Sequence, residues 1–401
     1  MISSIELKQF KCFAELRLPL GPLTLLAGVN AAGKSSVIQS LVLLHQTIGE
    51  SELANALVLN GHLLRLGRFG DVMDEVHGRD SFSIGLSAEG VAIRWLFQSD
   101  SKDSLVAPVV ERAVSIDEHD IPPSTFNSDS FFPRFSNPNN ITTPTEVNWR
   151  ERLNNIEQRI GRLLYLSTER IGPQETYSAE TGFAGEVELG SRGELTPWFL
   201  LQNGDRQVHP SLCLDATTTL KRQIAARLGD FFPGADLDVQ PVPGTNLVTL
   251  LIRTNKAGNY HRLQNVGYGL THVLPVLVAC LAASPEQTIL IENPEAHLHP
   301  AAQAKMGQFI SMVAATGVQV ILESHSDHVL NGIRRAVKEQ FLLPESVVIH
   351  FFQRNDPGNG VGTQIVSPLI NDRGVIDQWP ENFFDQFDRD LEVLTDWGSG
   401  L

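Results

Sequence analysis

Gly28, Gly33, Lys34 and Ser35 in "AGVNAAGKSS" meet the spacing G-x-x-x-x-G-K-[ST], and those residue types suit one chemistry, the holding of a phosphate chain. Glycines let successive backbone N–H groups turn toward phosphate oxygens, and a helix starting just after them adds the positive end of its dipole. Lys34 is expected to bridge the β- and γ-phosphates of a nucleotide and the Ser35 hydroxyl to ligate Mg²⁺, with Asn30, Ala32 and Ser36 completing the loop. "TILIENPEAHLHP" places Glu292 where an apolar run ends, the position at which a carboxylate holds the Mg²⁺ water shell. A water-activating carboxylate would ordinarily come next. Here the next residue is Asn293, a neutral amide that cannot accept a proton, and the second carboxylate, Glu295, lies beyond Pro294. Hydrolysis is therefore expected to be slow, or to depend on Glu295. "ILESHSDH" ends another apolar run and offers His325 to sense or orient the γ-phosphate. The pairs His297/His299 and His325/His328 have no nearby cysteine and are weak candidates for zinc.

"NVGYGLTH" is a second glycine loop at a predicted helix start, again a geometry suited to phosphate. One chain with one complete P-loop has little need of two such loops. Gly267, Gly269 and Thr271 are thus expected to complete the ATP site of another copy in a head-to-tail dimer; a plain helix N-cap is the alternative.

These motifs need buried strands that end at them. "LTLLAG" before the P-loop is a continuous apolar run, the pattern of a strand buried on both faces, and "SVIQSLVLLHQTI" after it is apolar at helical spacing through Val37, Ile38, Leu41, Leu44 and Ile48. Alternation over Phe82 to Phe97 predicts a hairpin turning at Glu89-Gly90. The stretch from Asp117 is rich in Pro, Ser, Asn and Thr and reads as a surface loop, after which Leu153, Ile156, Ile160, Leu163 and Leu164 line one face of a helix. Arg150, Arg152, Arg159 and Arg162 lie on its other sides, a candidate basic patch or an ordinary solvated face. Further hairpins are expected around Lys256–Asn259 and near the C-terminus. The expected division is an N-terminal lobe over 1–100, a polar loop or insertion over 101–150, a helical and β lobe over 151–270, a second lobe with the distal motifs over 271–345, and a hairpin with an acidic helical tail over 346–401.

The 401 residues are 42% hydrophobic, enough for more than one lobe. Lys and Arg total 31 against 46 Asp and Glu, a net charge of −15, so nucleic acid contact would need a local basic patch. The three cysteines are far apart and imply no disulfide framework. No window reaches the roughly 18 uninterrupted apolar residues of a membrane span, and no signal segment is visible; a cytoplasmic protein that does not enter the membrane is expected.

Taken together, "FKCF", "GVNAAGKSS", "NVGYGLTHVLPVL", "ILIENPEAHLHP" and "ILESHSDHVLNGIRR" resemble the ABC-type ATPases of the SMC and OLD (overcoming lysogenization defect) group, and within it bacterial AAA-labelled ATPases ending in a domain of unknown function. "ENPEAHLHP", "ESHSDHVLN", "DRGVIDQWPENFFDQ" and "YLSTERIGPQETY" also carry that resemblance. It implies an α/β fold: an ABC-type head with a mixed central sheet, an antiparallel β subdomain and a helical signature lobe. It further implies that Lys34 and Ser35 belong to Walker A, Gly267 and Gly269 to the signature, Glu292 to Walker B, "AHLHP" to the D-loop, and His325 to the switch histidine. Gly70-Asp71 is the Q-loop candidate. Asn293 departs from the catalytic glutamate of most ABC ATPases. OLD nucleases carry a further Toprim nuclease domain, for which the chain after His325 has little room; Asp388 and Asp390 are an acidic pair there that could bind a metal, with an acidic helix as the alternative. The implied function is an ATP-driven dimeric switch controlling a nuclease or toxin effector, or DNA, in antiphage defence. A weakly hydrolysing scaffold and a DNA repair or maintenance ATPase are the alternatives.

Overall fold

The computed structural model describes residues 1–50, 55–74, 76, 80–136, 143–179, 187–265, 267–354, 363–380, 383–384, 390–391 and 394. The first part of the chain contains β1 (Ile2–Phe10), β2 (Phe13–Pro19), β3 (Leu23–Gly28), α1 (Lys34–Gly49), β4 (Ala56–Val58), α2 (Phe69–Val72), β5 (Ser81–Ala88), β6 (Val91–Gln98), β7 (Val106–Ile116) and β8 (His119–Ile121). Next come α3 (Pro144–Gly161), β9 (Leu164–Leu166), β10 (Tyr177–Ser178), α4 (Thr196–Asn203), α5 (Leu220–Phe231), β11 (Asp236–Pro241), β12 (Leu247–Arg253) and β13 (His261–Arg262). The last part holds α6 (Tyr268–Ala282), β14 (Thr288–Glu292), α7 (Pro300–Ala314), β15 (Gln319–Glu323), α8 (Asp327–Lys338), β16 (Val347–Arg354) and β17 (Thr363–Val366).

The strands form three sheets. Six of them make the central sheet in the order β17-β16-β3-β15-β14-β9, parallel except for β17. A seven-stranded antiparallel sheet runs β2-β1-β5-β6-β7-β4 with β8 on β7, and a small antiparallel sheet joins β10, β12, β11 and β13. Successive residues of a strand face opposite sides, and the apolar runs of the central strands therefore divide between two cores. Leu23, Leu25, Ile289, Ile291, Val320 and Leu322 pack with α6, α7 and α8. Leu26, Leu290, Ile321 and Phe352 pack on the other side, with α1 and the large antiparallel sheet. Each such fully buried Leu or Ile contributes about 1.5–3 kcal/mol relative to exposure, so the sheet that carries the motifs is held on both of its faces.

The expected apolar face of α1 is the observed one, with Val37, Ile38, Leu41 and Leu44 buried and Ile48 half-buried. The expected hairpin turns at Glu89 and Gly90, both left-handed at φ 53° and 73°, the conformation that matches the twist of the strands it joins. Two expectations differ from the structure. Within the stretch expected as a polar loop over 101–150, β7 is an 11-residue strand. Ala107, Val109, Val114 and Ile116 are buried, while Pro108, Val110 and Ala113 are not, and the register against β6 shifts beside Val109, so the apolar residues keep no single period-2 phase. The helix expected to run through Leu164 ends at Gly161, and Leu164 starts β9. Among the described residues no helix is long and apolar enough to cross a membrane.

Candidate active site

Three parallel strands end side by side and carry the site. The register sets Glu323 of β15 opposite Leu26 of β3 on one side and opposite Glu292 of β14 on the other. From β3 the chain turns through Gly28, Ala31 and Gly33 at φ 127°, 57° and 102°. A Cβ on Gly28 would lie 2.1 Å from the carbonyl oxygen of Phe352, and one on Gly33 2.4 Å from Cζ of Phe13 and 2.6 Å from Sγ of Cys12. Packing and dihedral both demand glycine at these two positions. The loop is tied to β16 and β17: Val29 N donates to Phe352 O (3.1 Å), Arg354 to Ala31 O (3.2 Å) and Thr363 Oγ1 to Ala32 O (3.1 Å). Asn30 is exposed, Ala32 buried, and Ser36 half-buried beside the Cys12 thiol, which burial pushes up. No side chain caps α1 at Gly33. The start of α1 is thus free to meet an anion.

Lys34 is buried, and its Nζ donates to the carbonyls of Gly28 (3.1 Å) and Val29 (2.8 Å) with Glu323 Oε1 at 3.8 Å. Burial lowers its pKa, and the Glu323 charge pulls it back. Ser35 Oγ donates to Glu323 Oε2 at 2.8 Å. His325 is exposed, its Nε2 3.8 Å from Glu323 Oε1; burial and then the Lys34 charge lower its pKa. Lys34, Ser35 and His325 therefore meet around a residue absent from the expected site, Glu323. Burial raises its pKa, while the Ser35 bond and Lys34 lower it.

Glu292 sits one strand further from the P-loop. Tyr165 OH donates to its Oε1 at 3.0 Å, and Thr168 donates to Oε2 from both N (3.1 Å) and Oγ1 (2.9 Å). Asn293 follows in a left-handed conformation, φ 44°. Its N donates to Glu323 O (2.8 Å) and its Nδ2 to Thr168 Oγ1 (3.3 Å), and its Oδ1 is buried without a partner among the described residues. Glu295 accepts from His325 N at 2.9 Å through Oε1, its Oε2 likewise lacks a partner, and burial raises its pKa. Arg170 braces this turn, donating to the carbonyls of Ser167 (3.2 Å), Glu292 (2.8 Å) and Asn293; burial lowers its pKa to about 10. Tyr165, Thr168 and Arg170 all come from "YLSTERIGPQETY", a segment to which the sequence assigned no chemistry.

The second glycine turn starts α6 with Gly267 and Tyr268 exposed. Among the described residues no hydrogen bond or ion pair joins it to the P-loop of the same chain. Gly269 lies against the Ala296–Pro300 turn, where a Cβ would be 2.8 Å from His297 O. Thr271, expected to reach phosphate, is buried, and its Oγ1 donates to Tyr268 O at 2.8 Å, so its hydroxyl is committed to its own helix. The rings of His272 and His297 are 4.5 Å apart, each 6.2 Å from that of Tyr268.

Other candidates stay apart. Among the described residues no three His, Cys, Asp or Glu side chains converge to hold a metal ion. Asp388 lies outside the described residues, which leaves Asp390 as the described half of the acidic pair. Asp71 accepts from Arg68 N at 2.7 Å, and its segment docks on β1 through Lys11 N to Val72 O (2.9 Å). In the candidate basic patch, Arg152 pairs with Asp117 (2.8 Å) and Arg159 with Glu89 (3.2 Å), which consumes their charge within the chain.

Comparison with known proteins places this geometry. Residues 23–331 match the family described as "AAA domain, putative AbiEii toxin, Type IV TA system", and residues 342–394 match a protein family of unknown function, DUF3696. A stretch of 41 residues is 39% identical to an OLD nuclease of Thermus scotoductus; the chain spans 8% of that relative's length, and the match covers 10% of this chain. A solved structure of an SMC head bound to the C-terminal winged-helix domain of ScpA is similar over 91% of this chain and 97% of its own, with a TM-score of 0.53 at 14% identity. An SMC head with an extended coiled coil, bound to the C-terminal domain of ScpA derived from Pyrococcus furiosus, is similar over 98% of both chains with a TM-score of 0.48 at 11% identity. The fold is that of an SMC-type ATPase head, and the chain belongs to this AAA-domain family of P-loop ATPases.

Proposed function

We propose that the chain binds and slowly hydrolyses ATP, and that two copies close over the nucleotide with the P-loop of one against the Gly267–Gly269 turn of the other. The observation that carries the reading is Lys34, a buried ammonium held on two loop carbonyls at the start of a helix that no side chain caps. Mg²⁺ and ATP supply a charged triphosphate whose terminal phosphoryl group passes to water. Lys34 would neutralise charge on the β- and γ-phosphates, the N–H groups of the P-loop would orient them, and Ser35 would turn its hydroxyl to the metal. Glu295, buried and with one oxygen unpartnered, is the carboxylate after Asn293 that has acceptor capacity to spare for a water proton. His325 lies near enough to Lys34 for that charge to affect it, and from there would contact the terminal phosphate.

The exposed Gly267–Tyr268 turn, joined to its own P-loop by no hydrogen bond or ion pair among the described residues, and the likeness to SMC heads support the dimeric part of the reading. The family description and the OLD nuclease likeness support a switch that controls a separate nuclease or toxin effector, or a DNA transaction, in cytoplasmic antiphage defence. That last step is analogy of family.

A second reading, an ATP-binding scaffold with little turnover, is favoured by the Asn293 amide beside Glu292 and by the bond that ties Glu295 Oε1 to His325 N. Phosphate release and sedimentation with and without ATP, on wild type and Lys34→Ala, separate the readings. The switch predicts ATP-dependent dimers and slow phosphate release, both lost in Lys34→Ala. ATP-dependent dimers without phosphate release support the scaffold. Dimerisation indifferent to ATP defeats the switch.

A further inference from the structure

We propose that Glu323, rather than Glu292, is the carboxylate that faces the Mg²⁺ water shell beside Ser35. The inference deepens the ATP-binding reading and rests on it.

Distance gives the first argument. β15 pairs directly with β3, and β14 is one strand beyond. Neighbouring strands lie about 4.8 Å apart, so at equal register the side chain of Glu323 starts one full strand spacing closer to the P-loop. The hydrogen bond to Ser35 Oγ at 2.8 Å and the 3.8 Å approach to Lys34 show that it bridges the remaining gap.

Acceptor capacity gives the second argument. A carboxylate oxygen offers two lone-pair sites. Glu292 Oε2 has both filled by Thr168, and its Oε1 is held by Tyr165. Glu323 is different: Oε2 takes one bond from Ser35, and Oε1 has Lys34 and His325 at 3.8 Å, beyond hydrogen-bond reach. Glu292 thus keeps one free site, on Oε1, whereas Glu323 keeps three, one on Oε2 and both on Oε1. Mg²⁺ keeps most of its waters and is commonly held through one or two carboxylates with substrate phosphates. A site of that kind needs water-accepting oxygens near the serine, and no preformed cage of three ligands.

Chemistry at the strand end gives the third. Before nucleotide enters, Glu323 occupies the hydroxyl that Mg²⁺ would need and balances part of the Lys34 charge. Ser35 Oγ, once released by Glu323, would hold Mg²⁺, Lys34 would turn to the phosphates, and Glu323 would accept hydrogen bonds from the surrounding water. Tyr165 and Thr168 would keep Glu292 in place as the wall behind it.

The test is nucleotide affinity, with no turnover required. A fluorescent ATP analogue is titrated into wild type, Glu323→Gln and Glu292→Gln, each with Mg²⁺ and with EDTA, and bound Mn²⁺ is counted by electron paramagnetic resonance. The reading expects the gain in affinity from Mg²⁺ to fall by about 10- to 100-fold in Glu323→Gln, the range seen when a group supporting a metal site is removed. It expects a smaller fall in Glu292→Gln. A fall in Glu323→Gln smaller than that in Glu292→Gln overturns the inference and leaves ATP binding intact. Wild type that binds no ATP under either condition overturns the parent reading as well. Glu323→Asp guards against misfolding: with wild-type melting behaviour it must still lose part of the Mg²⁺ gain, because its carboxylate is one carbon further from Ser35, and an undiminished gain counts against the assignment.

Discussion

Tyr165 OH donates to Glu292 Oε1 at 3.0 Å across two adjacent parallel strands, Tyr165 standing opposite Leu290 and reaching the glutamate two residues on. Side chains two apart share one face of a sheet, so the phenol spans the diagonal between neighbours. Burial and the Glu292 charge push the Tyr165 pKa up, so the hydroxyl keeps its proton and remains a donor. A charged acceptor held this way is stabilising, and its loss leaves a buried carboxylate oxygen under-satisfied.

Tyr165→Phe is therefore expected to lower stability by about 1.5–3 kcal/mol, the range for hydrogen bonds to charged groups, with the ring still filling its place. Thr168→Ala removes the Oγ1 bond to Oε2 and keeps the N–H bond to the same oxygen, so its cost should be similar or smaller. Because both bind one carboxylate, the double variant should depart from additivity. Urea denaturation of the four proteins measures all of this. Additive losses would mean that the two donors act independently of Glu292.

Gly28→Ala tests the seam between the P-loop and β16. The added methyl would meet the carbonyl oxygen of Phe352 at 2.1 Å, a backbone atom that cannot swing aside, at a residue with φ 127°. Overpacking and left-handed strain each cost about 1–3 kcal/mol, and their sum predicts a large drop in the denaturation midpoint. Gly244→Ala is the control: its φ is 74°, and nothing lies within 4 Å of the added methyl. It carries the dihedral strain alone. Equal midpoints for the two variants would show that the loop backs away from β16 freely.

What the sequence revealed is what is local in the chain. The P-loop spacing, the apolar strands ending at Gly28, Glu292 and Glu323, and the turn at Glu89-Gly90 are each written in fewer than about ten residues, the length over which periodicity and turn chemistry act. The pairing order of strands is not local. Nothing in "ILESHSDH" says that its strand lies between those of the P-loop and Glu292, and Glu323 was passed over in favour of His325. A signal was present: "VQVILE" repeats the acid-tipped apolar run of "TILIE" and invited the same reading. The "YLSTERIGPQETY" segment offers no such cue, since the roles of Tyr165, Thr168 and Arg170 come from β9 pairing with β14. The strand Val106–Ile116 is hidden for another reason: Pro108, Val110 and Ala113 lie off its buried face, and a register shift beside Val109 breaks the period-2 pattern.

His272 gives a pH dependence with a definite sign. Its ring packs against those of Tyr268 and His297, its Nδ1 is buried without a partner among the described residues, and its pKa falls from 6.5 to about 4 through burial first, then the charges of His297 and Arg170. In the unfolded chain the imidazole takes a proton near pH 6.5, while the folded protein resists it down to about 4. Between those values the unfolded state binds more protons, so stability contributed by this group is complete above pH 6.5 and is lost as pH falls toward 4. Glu295 and Glu323, with raised pKa values, act in the opposite sense, which makes the difference between two proteins the informative quantity. His272→Phe keeps a ring against Tyr268 and His297 and removes both the titration and the orphaned nitrogen. Thermal melts from pH 7.5 down to 4.5 should show the variant as stable as wild type or more so at the upper end, with a shallower fall in Tm through the acid range. Parallel curves would mean that His272 is already solvated in the folded protein and that the contact between α6 and the His297 turn is looser than its 4.5 Å ring spacing indicates.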